Sequence, residues 1–335
     1  MYRRSLNGYL IERLKRENEL KSVDKTRWYT INNACLSSTL SATFHQLSYD
    51  SGTDQFISNC YTKANSIVTT FFYAFARTIL GLFMSSTSVC GFLGRGSMFV
   101  LSNDQFKTFV IDTLFKYRHH RYNQHHQTNN EMKQINFGQC LEIDDLLEPA
   151  NGFGDDDTIP KFDAILDLGA GDGNVTSVMA PYFNRTYVTE MSRFMQSRLR
   201  SRGYHLLDAK DWQSSTSIQS YDLICLLNVL DRCSEPLNML ADIHCSLKQS
   251  NGLFLLAVVF PLYQYVEYNS DHLPSQTLEI DGATFEHQVS SFYGNVLQPA
   301  GFELIKWTKL PYLCEGNLDL TYFWLIDAVF LLKAI

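Results

Sequence analysis

The sequence predicts an α/β fold, a seven-strand Rossmann-like sheet preceded by an N-terminal helical extension. Three observations carry this. From residue 163 onward, short apolar runs alternate with helix-period segments, the pattern of a sheet covered on both faces. Within it, Ile165-Leu-Asp-Leu-Gly-Ala-Gly-Asp-Gly-Asn-Val-Thr176 reads as a buried strand that turns through three alternating glycines into a helix. One strand later an acid, Glu190, stands at a carboxyl end, where ligands of open α/β sheets bind.

The first strand covers residues 163–168, and its helix begins near Asn174. Gly169, Gly171 and Gly173 carry no Cβ, so a ligand can approach the backbone and the first N–H groups of the helix. The spacing is G-x-G-x-G and not the dinucleotide pattern G-x-G-x-x-G, which argues against a nicotinamide cofactor. Asp167 lies inside the strand, where an unpaired carboxylate is costly, so it is expected to accept from glycine-loop N–H groups or to meet a cationic ligand group. A helix over 174–182 leads to a second strand at 186–190, and Glu190 is placed to accept both ribose hydroxyls of an adenosine. After a short third strand at 204–207, Asp211 and Trp212 are candidates for an adenine edge and face.

Residues 221–227 and 252–260 read as the fourth and fifth strands, with a helix over 237–247 between them. The last two strands, 302–308 and 323–333, are joined by a loop that lets them pair antiparallel. The fourth strand ends in Asn228-Val-Leu-Asp231. Asn228 offers a carboxamide to the amino-acid end of a cofactor, and Asp231 can face a substrate or, alternatively, cap the next helix. The Asn/Asp-Pro-Pro-aromatic sequence common in nucleobase amine methylation is missing here.

With 335 residues, 45% of them hydrophobic, the chain can bury one large domain plus additions. A net charge of −7 argues against sequence-independent nucleic-acid binding, so no nucleic-acid partner is expected, and the chain is read as a monomer. The eight cysteines form no C-x-x-C pair and read as free thiols of a reducing compartment. The segment after Met1 lacks the apolar stretch of a secretory signal, and the apolar window 67–84 is broken by Thr69, Thr70, Arg77 and Thr78, so no transmembrane helix is expected. These features point to the cytoplasm.

The expected organisation is a flexible segment over 1–27, a helical extension packing on the catalytic domain over 28–115, a His/Asn/acid-rich disordered insertion over 116–160, and the catalytic domain over 161–335. Helices are expected at 28–47, 53–66, 67–84 and 104–114. The loop 91–98 combines three glycines with Arg95 and Ser97 and suits close approach to a ligand. His119, His120, His125 and His126 have no Cys or carboxylate at ligand spacing, so no metal is expected.

Leu166-Asp-Leu-Gly-Ala-Gly-Asp-Gly173, Thr189-Glu190, Leu227-Asn-Val-Leu-Asp-Arg-Cys233, Leu310-Pro-Tyr-Leu-Cys-Glu-Gly316, Asp327-Ala-Val-Phe330 and Leu93-Gly-Arg-Gly-Ser-Met-Phe99 occur in this order around the insertion. Together they resemble the methyltransferase-like protein 9, or DREV, family. The resemblance implies a class I S-adenosylmethionine-dependent methyltransferase that modifies the pros nitrogen of histidine, giving 1-methylhistidine, in His-x-His segments of proteins where x is small. It implies cofactor contacts from Asp167, Gly169, Gly171, Glu190, Asn228 and Tyr312, with Asp231 oriented toward the substrate histidine. Gly173 and Asp211 complete the candidate cofactor residues, and Arg95, Ser97 and Tyr322 are candidate substrate contacts. Where the family has two adjacent tyrosines this chain has Tyr322-Phe323, so the second hydroxyl is missing. The resemblance also implies an endomembrane or mitochondrial association, although the amino-terminal apolar segment of animal relatives is absent.

The sulfonium donor brings an activated methyl, so the protein has mainly to align donor and acceptor and exclude water. Neutral imidazole, with a reference pKa of about 6.5, is a competent acceptor near neutral pH. If Asp231 accepts from the tele N–H, the pros lone pair stays free. The alternatives are methylation of a small molecule or RNA, and donor binding without catalysis.

Overall fold

The computed structural model describes residues 6–64, 89, 96–118, 161–214, 221–250, 252–267, 269–317 and 320–335. Among these, eight strands form a single sheet: β1 (Met98–Phe99), β2 (Phe162–Leu168), β3 (Phe183–Thr189), β4 (His205–Leu207), β5 (Leu223–Leu227), β6 (Leu253–Val259), β7 (Phe302–Glu315) and β8 (Tyr322–Ala334). Their order is β1-β7-β8-β6-β5-β2-β3-β4. The five strands from β6 to β4 are parallel, and β8 runs antiparallel to both β6 and β7. This is the expected Rossmann-like sheet, with β1 added at its edge. The chain runs outward from β2 to β4 and then returns to β5, so the carboxyl ends of β2 and β5 flank the point where the winding reverses and a ligand crevice opens.

Alternation along the strands builds two cores. Ile165, Cys225, Leu255 and Val329 face one way and pack with Trp28, Phe106 and Phe109 from the N-terminal segment. Their chain neighbours Leu166, Ile224, Leu256 and Phe330 face the other way, against Leu240, Phe292 and Trp307. Both faces are therefore covered, which accounts for the near-continuous apolar sequence of β5 and β6.

The structure corrects several sequence-based expectations. An eighth strand arises because residues of the glycine-rich loop, Met98 and Phe99, pair with Cys314 and Leu313 of β7. The loop expected between the last two strands is mostly strand: the ladder runs to Glu315 opposite Tyr322, and beyond it Gly316 N–H donates to Thr321 O and Asn317 N–H to Leu320 O. Pro311 is tolerated opposite Ile326 because, among the described residues, β8 is its sole strand neighbour there.

The flexible segment expected over 1–27 instead holds helix α1 (Leu6–Ser22). Its Leu20 is buried, and Glu17 Oε1 accepts from both the N–H and the hydroxyl of Thr321. A single helix over 28–47 does not form. Asn32 and Ser37 turn their side chains onto the N–H groups of Ala34 and Leu40, which divides the segment into short turns and helix α2 (Ser38–Thr43). Helix α3 (Ser51–Ala64) matches its expected place. Helix α4 (Asn103–Phe106) continues through a π turn at Lys107–Ile111 to residue 118, past the expected start of the insertion at 116. The expected helix over 67–84, Arg95, and residues 119–160 with their four histidines lie outside the described residues. No helix among the described residues is long and apolar enough to cross a membrane.

Candidate functional site

The glycine corner follows β2 and leads into helix α5 (Asn174–Met179), with Gly169, Gly171 and Gly173 all at positive φ. Gly169 donates its N–H to the Thr189 hydroxyl at 3.0 Å, and Gly171 donates to Glu190 Oε2 at 3.0 Å. The glycines serve different ends. A Cβ on Gly169 would stand 2.6 Å from Val229 Cγ2, and one on Gly173 would stand 2.9 Å from Leu199 Cδ2, so these two allow packing. A Cβ on Gly171 would meet nothing within 4 Å. Gly171 is the corner that faces open space.

Asp167 is buried as expected, but it does not bind the glycine loop. Its Oδ2 accepts from the Thr176 hydroxyl at 2.6 Å, which ties β2 to α5, and burial pushes its carboxyl up to about 6. Glu190 takes the loop-binding part, with Oε2 on Gly171 and Oε1 on the Ser192 N–H at 2.7 Å. Burial raises the Glu190 carboxyl despite these bonds. The Met191 N–H also bonds this carboxylate, whose two oxygens together can accept about four hydrogen bonds, so acceptor capacity is left for a hydroxyl donor.

Glu190, Met191, Gln196, Leu206, Leu207 and Asp208 line a cleft of about 380 Å³. Asp208, the first residue after β4, is the acid that shares this cleft with Glu190. Asp211 and Trp212 do not line it, and Trp212 is only 3% exposed within the core, so its ring has no free face for a ligand. The strand-end position that singles out Glu190 would also have singled out Asp208.

At the end of β5, Asn228 adopts a left-handed backbone with φ 57° and donates its N–H to Ala257 O. Its Nδ2 donates to Asp327 Oδ2 at 2.8 Å. Asp231 lies in the 3-10 turn Leu230–Arg232, ahead of helix α7 (Pro236–Ser250) and not at its cap. Helix α6 (Arg193–Ser201), by contrast, follows the Glu190 turn directly. Burial raises the Asp231 carboxyl, and the neighbouring Arg232 charge acts against the rise. Asn228 Oδ1, Asp231 Oδ1 and Asp327 Oδ1 are all buried and have no hydrogen-bond partner among the described residues. Unmatched acceptors of this kind suit a ligand that carries several N–H donors.

Tyr312 of β7 is buried, donates its hydroxyl to Met98 Sδ, and is raised in pKa by burial. Ser97 is engaged on every side. Its hydroxyl accepts from Asn174 Nδ2 at 3.1 Å, and its N–H and carbonyl both bond to Glu315. Tyr322, expected at the substrate, is 1% exposed and packs edge-on against Tyr61, so the structure corrects its placement to the core. Its neighbour Phe323 is the exposed member of the pair. No cluster of three His, Cys, Asp or Glu fit to hold a metal occurs among the described residues.

An open glycine corner, a strand-end carboxylate and a carboxamide with a free oxygen fit a nucleoside joined to an amino acid. A family model described as DREV methyltransferase matches residues 28–129 and 147–334. Among solved structures, CurJ carbon methyltransferase is 16% identical over 53% of this chain and 50% of its own length, with a TM-score of 0.34. The YcgJ protein of Bacillus subtilis is 13% identical over 53% of this chain and 94% of its own, with a TM-score of 0.35. The 1,6-didemethyltoxoflavin-N1-methyltransferase of Burkholderia thailandensis, solved with bound 1,6-didemethyltoxoflavin and S-adenosylhomocysteine, is 15% identical over 52% of this chain and 72% of its own, with a TM-score of 0.34.

Proposed function

The chain belongs to the DREV methyltransferase family, and from that premise we propose that it methylates the pros nitrogen of histidine in His-x-His segments of proteins. Its reaction class is methyl transfer and its donor is S-adenosylmethionine. The observation that carries the substrate reading is Asp231, a half-buried residue just after β5 whose Oδ1 is buried and has no partner among the described residues.

When bound, S-adenosylmethionine supplies a methyl already activated on a sulfonium, so neither a covalent protein nucleophile nor a metal is called for. Glu190 would accept the ribose hydroxyls, Asp208 would face the adenine side of the cleft, and the backbone around Gly169 and Gly171 would lie against the nucleoside. Gly173 and Asp167 act behind this surface, one by packing on Leu199 and the other by holding Thr176. Asn228 Oδ1 would accept from the amino-acid end, with Tyr312 closing that side.

Asp231 orients the acceptor. A carboxylate that accepts from the tele N–H of an imidazole fixes the tautomer and leaves the pros lone pair free for attack. The same charge steadies the cation that the ring becomes as the methyl arrives, and in a buried site that effect is large. Asp231 stays ionised in this role and removes no proton from the attacking nitrogen.

Incubation of a His-x-His peptide with the donor, followed by mass spectrometry of the ring, tests the reading. The wild type is expected to add one methyl at the pros position. Asp231→Ala should lower turnover by about a hundredfold or more while affinity for S-adenosylhomocysteine is kept, and Glu190→Ala should weaken that affinity itself. Methyl transfer to an RNA or metabolite pool with none to the peptide would sink the histidine assignment.

A further inference from the structure

Asp327 stands in the middle of an apolar strand, opposite Val259 of β6 on one side and Leu310 of β7 on the other, and is 0% exposed. Nothing in the packing of that strand calls for a carboxyl, and burial pushes it up to about 8. Among the described residues the group has one polar contact: its Oδ2 accepts from Asn228 Nδ2 at 2.8 Å, while Oδ1 has no partner.

That contact decides which way a carboxamide points. Asn228 is already anchored through its N–H to Ala257 O and through its left-handed backbone. With Nδ2 engaged by Asp327 Oδ2, Oδ1 must point the other way within the amide plane. Where the carboxyl is ionised a flip would set two acceptor oxygens against each other, and where it is protonated Oδ2 still accepts from Nδ2 through a lone pair. Oδ1 is left buried and without a donor, a costly arrangement in a protein interior unless a ligand supplies the donor.

We propose that Asp327 is a positioning residue of the donor site, which holds Nδ2 of Asn228 and so keeps Oδ1 available to the ammonium group at the amino-acid end of the donor. The inference rests on the donor site proposed above. Asp327 acts through Asn228 and leaves the adenosine end untouched.

Calorimetry on the full chain with two ligands separates this role from general damage. S-adenosylhomocysteine carries the amino-acid end, and methylthioadenosine lacks it. Asp327→Ala is expected to weaken the first by about tenfold or more and to leave the second within about twofold. Asp327→Asn keeps an acceptor oxygen for Nδ2 and should stay within about threefold of the wild type for both ligands. In an Asn228→Gly background, which suits the left-handed backbone, adding Asp327→Ala should cost no further affinity for S-adenosylhomocysteine. If Asp327→Ala does not fold, Asp327→Val fills the strand position without an acceptor and takes its place. Equal losses for the two ligands, full retention of S-adenosylhomocysteine by a folded Ala or Val variant, or an Asn variant as weak as the Ala variant would each overturn the inference. Wild-type protein that binds neither ligand would overturn the donor site itself, a result visible before any substitution.

Discussion

Two carboxyls inside apolar strands, Asp167 in β2 and Asp327 in β8, are raised by burial from 3.8 to about 6 and about 8. Between these limits the folded protein holds protons that the unfolded chain has released, so stability falls as pH rises from about 4 toward about 8. Below about 4 both states are protonated and the penalty vanishes. Asp327→Asn removes the larger part of it. In the absence of ligand, the variant should therefore gain on the wild type by up to about 1.4 kcal/mol for each pH unit through this window. Melting curves of the two proteins between about pH 5 and pH 8 check the sign, and parallel curves would mean that the carboxyl is ionised throughout. Position explains which of these acids the sequence reveals. Glu190, Asn228 and Asp231 follow apolar strands, where a polar residue points to a ligand. Asp327 lies in the motif Asp327-Ala-Val-Phe330, but nothing local names its partner 99 positions away, and Thr176, although only 9 positions from Asp167, is not marked because the glycine loop between them offers nearer donors.

The strand, glycine corner and helix from β2 to α5 are legible in sequence because three glycines at alternate positions have few other structural uses. What spacing does not reveal is that the three are unequal. Alanine at either Gly169 or Gly171 takes up a left-handed backbone at a cost of roughly 1–2 kcal/mol. At Gly169 the new methyl also meets Val229 Cγ2 at 2.6 Å, which adds about 1–3 kcal/mol of overpacking. Denaturant unfolding should accordingly rank Gly169→Ala below Gly171→Ala in stability, while Gly171→Ala loses donor affinity because its methyl enters the open corner. Equal stabilities would mean that Val229 rotates away at no cost. The β7–β8 hairpin was harder to read, because Pro311 and Gly316 signal a loop in sequence although the ladder accepts Pro311 and turns only after Glu315. The segment 28–47 misleads in the opposite sense. Its apolar residues have helical spacing, yet Asn32 and Ser37 cap short turns within it.

Sequence motifs place a catalytic unit at 161–335 with an extension before it, and residues of that extension lie in the same buried clusters as the sheet. Trp28, Tyr29, Phe106 and Phe109 belong to the same buried cluster as Ile165, Leu255 and Val329. On the other face, Trp307 Nε1 donates to Leu40 O at 2.7 Å and Lys309 Nζ donates to Thr30 O at 2.7 Å. Lys63 pairs with Glu315 at 3.0 Å, and Glu17 of α1 closes the hairpin turn through Thr321. The N-terminal residues thus cover the antiparallel end of the sheet, and each large side chain uncovered there would forfeit about 1.5–3 kcal/mol of burial. Several such losses exceed the margin of roughly 5–15 kcal/mol by which a domain is stable. The fragment 161–335 is therefore expected to lack fixed tertiary structure, with a lost near-ultraviolet dichroism signal and strong binding of a hydrophobic dye, while the full chain melts cooperatively. Deleting residues 1–22 alone removes Leu20 and the Glu17 bonds and should cost only about 2–4 kcal/mol. A fragment 161–335 that unfolds in one sharp transition of its own would show that the sheet needs no cover from the N-terminal residues.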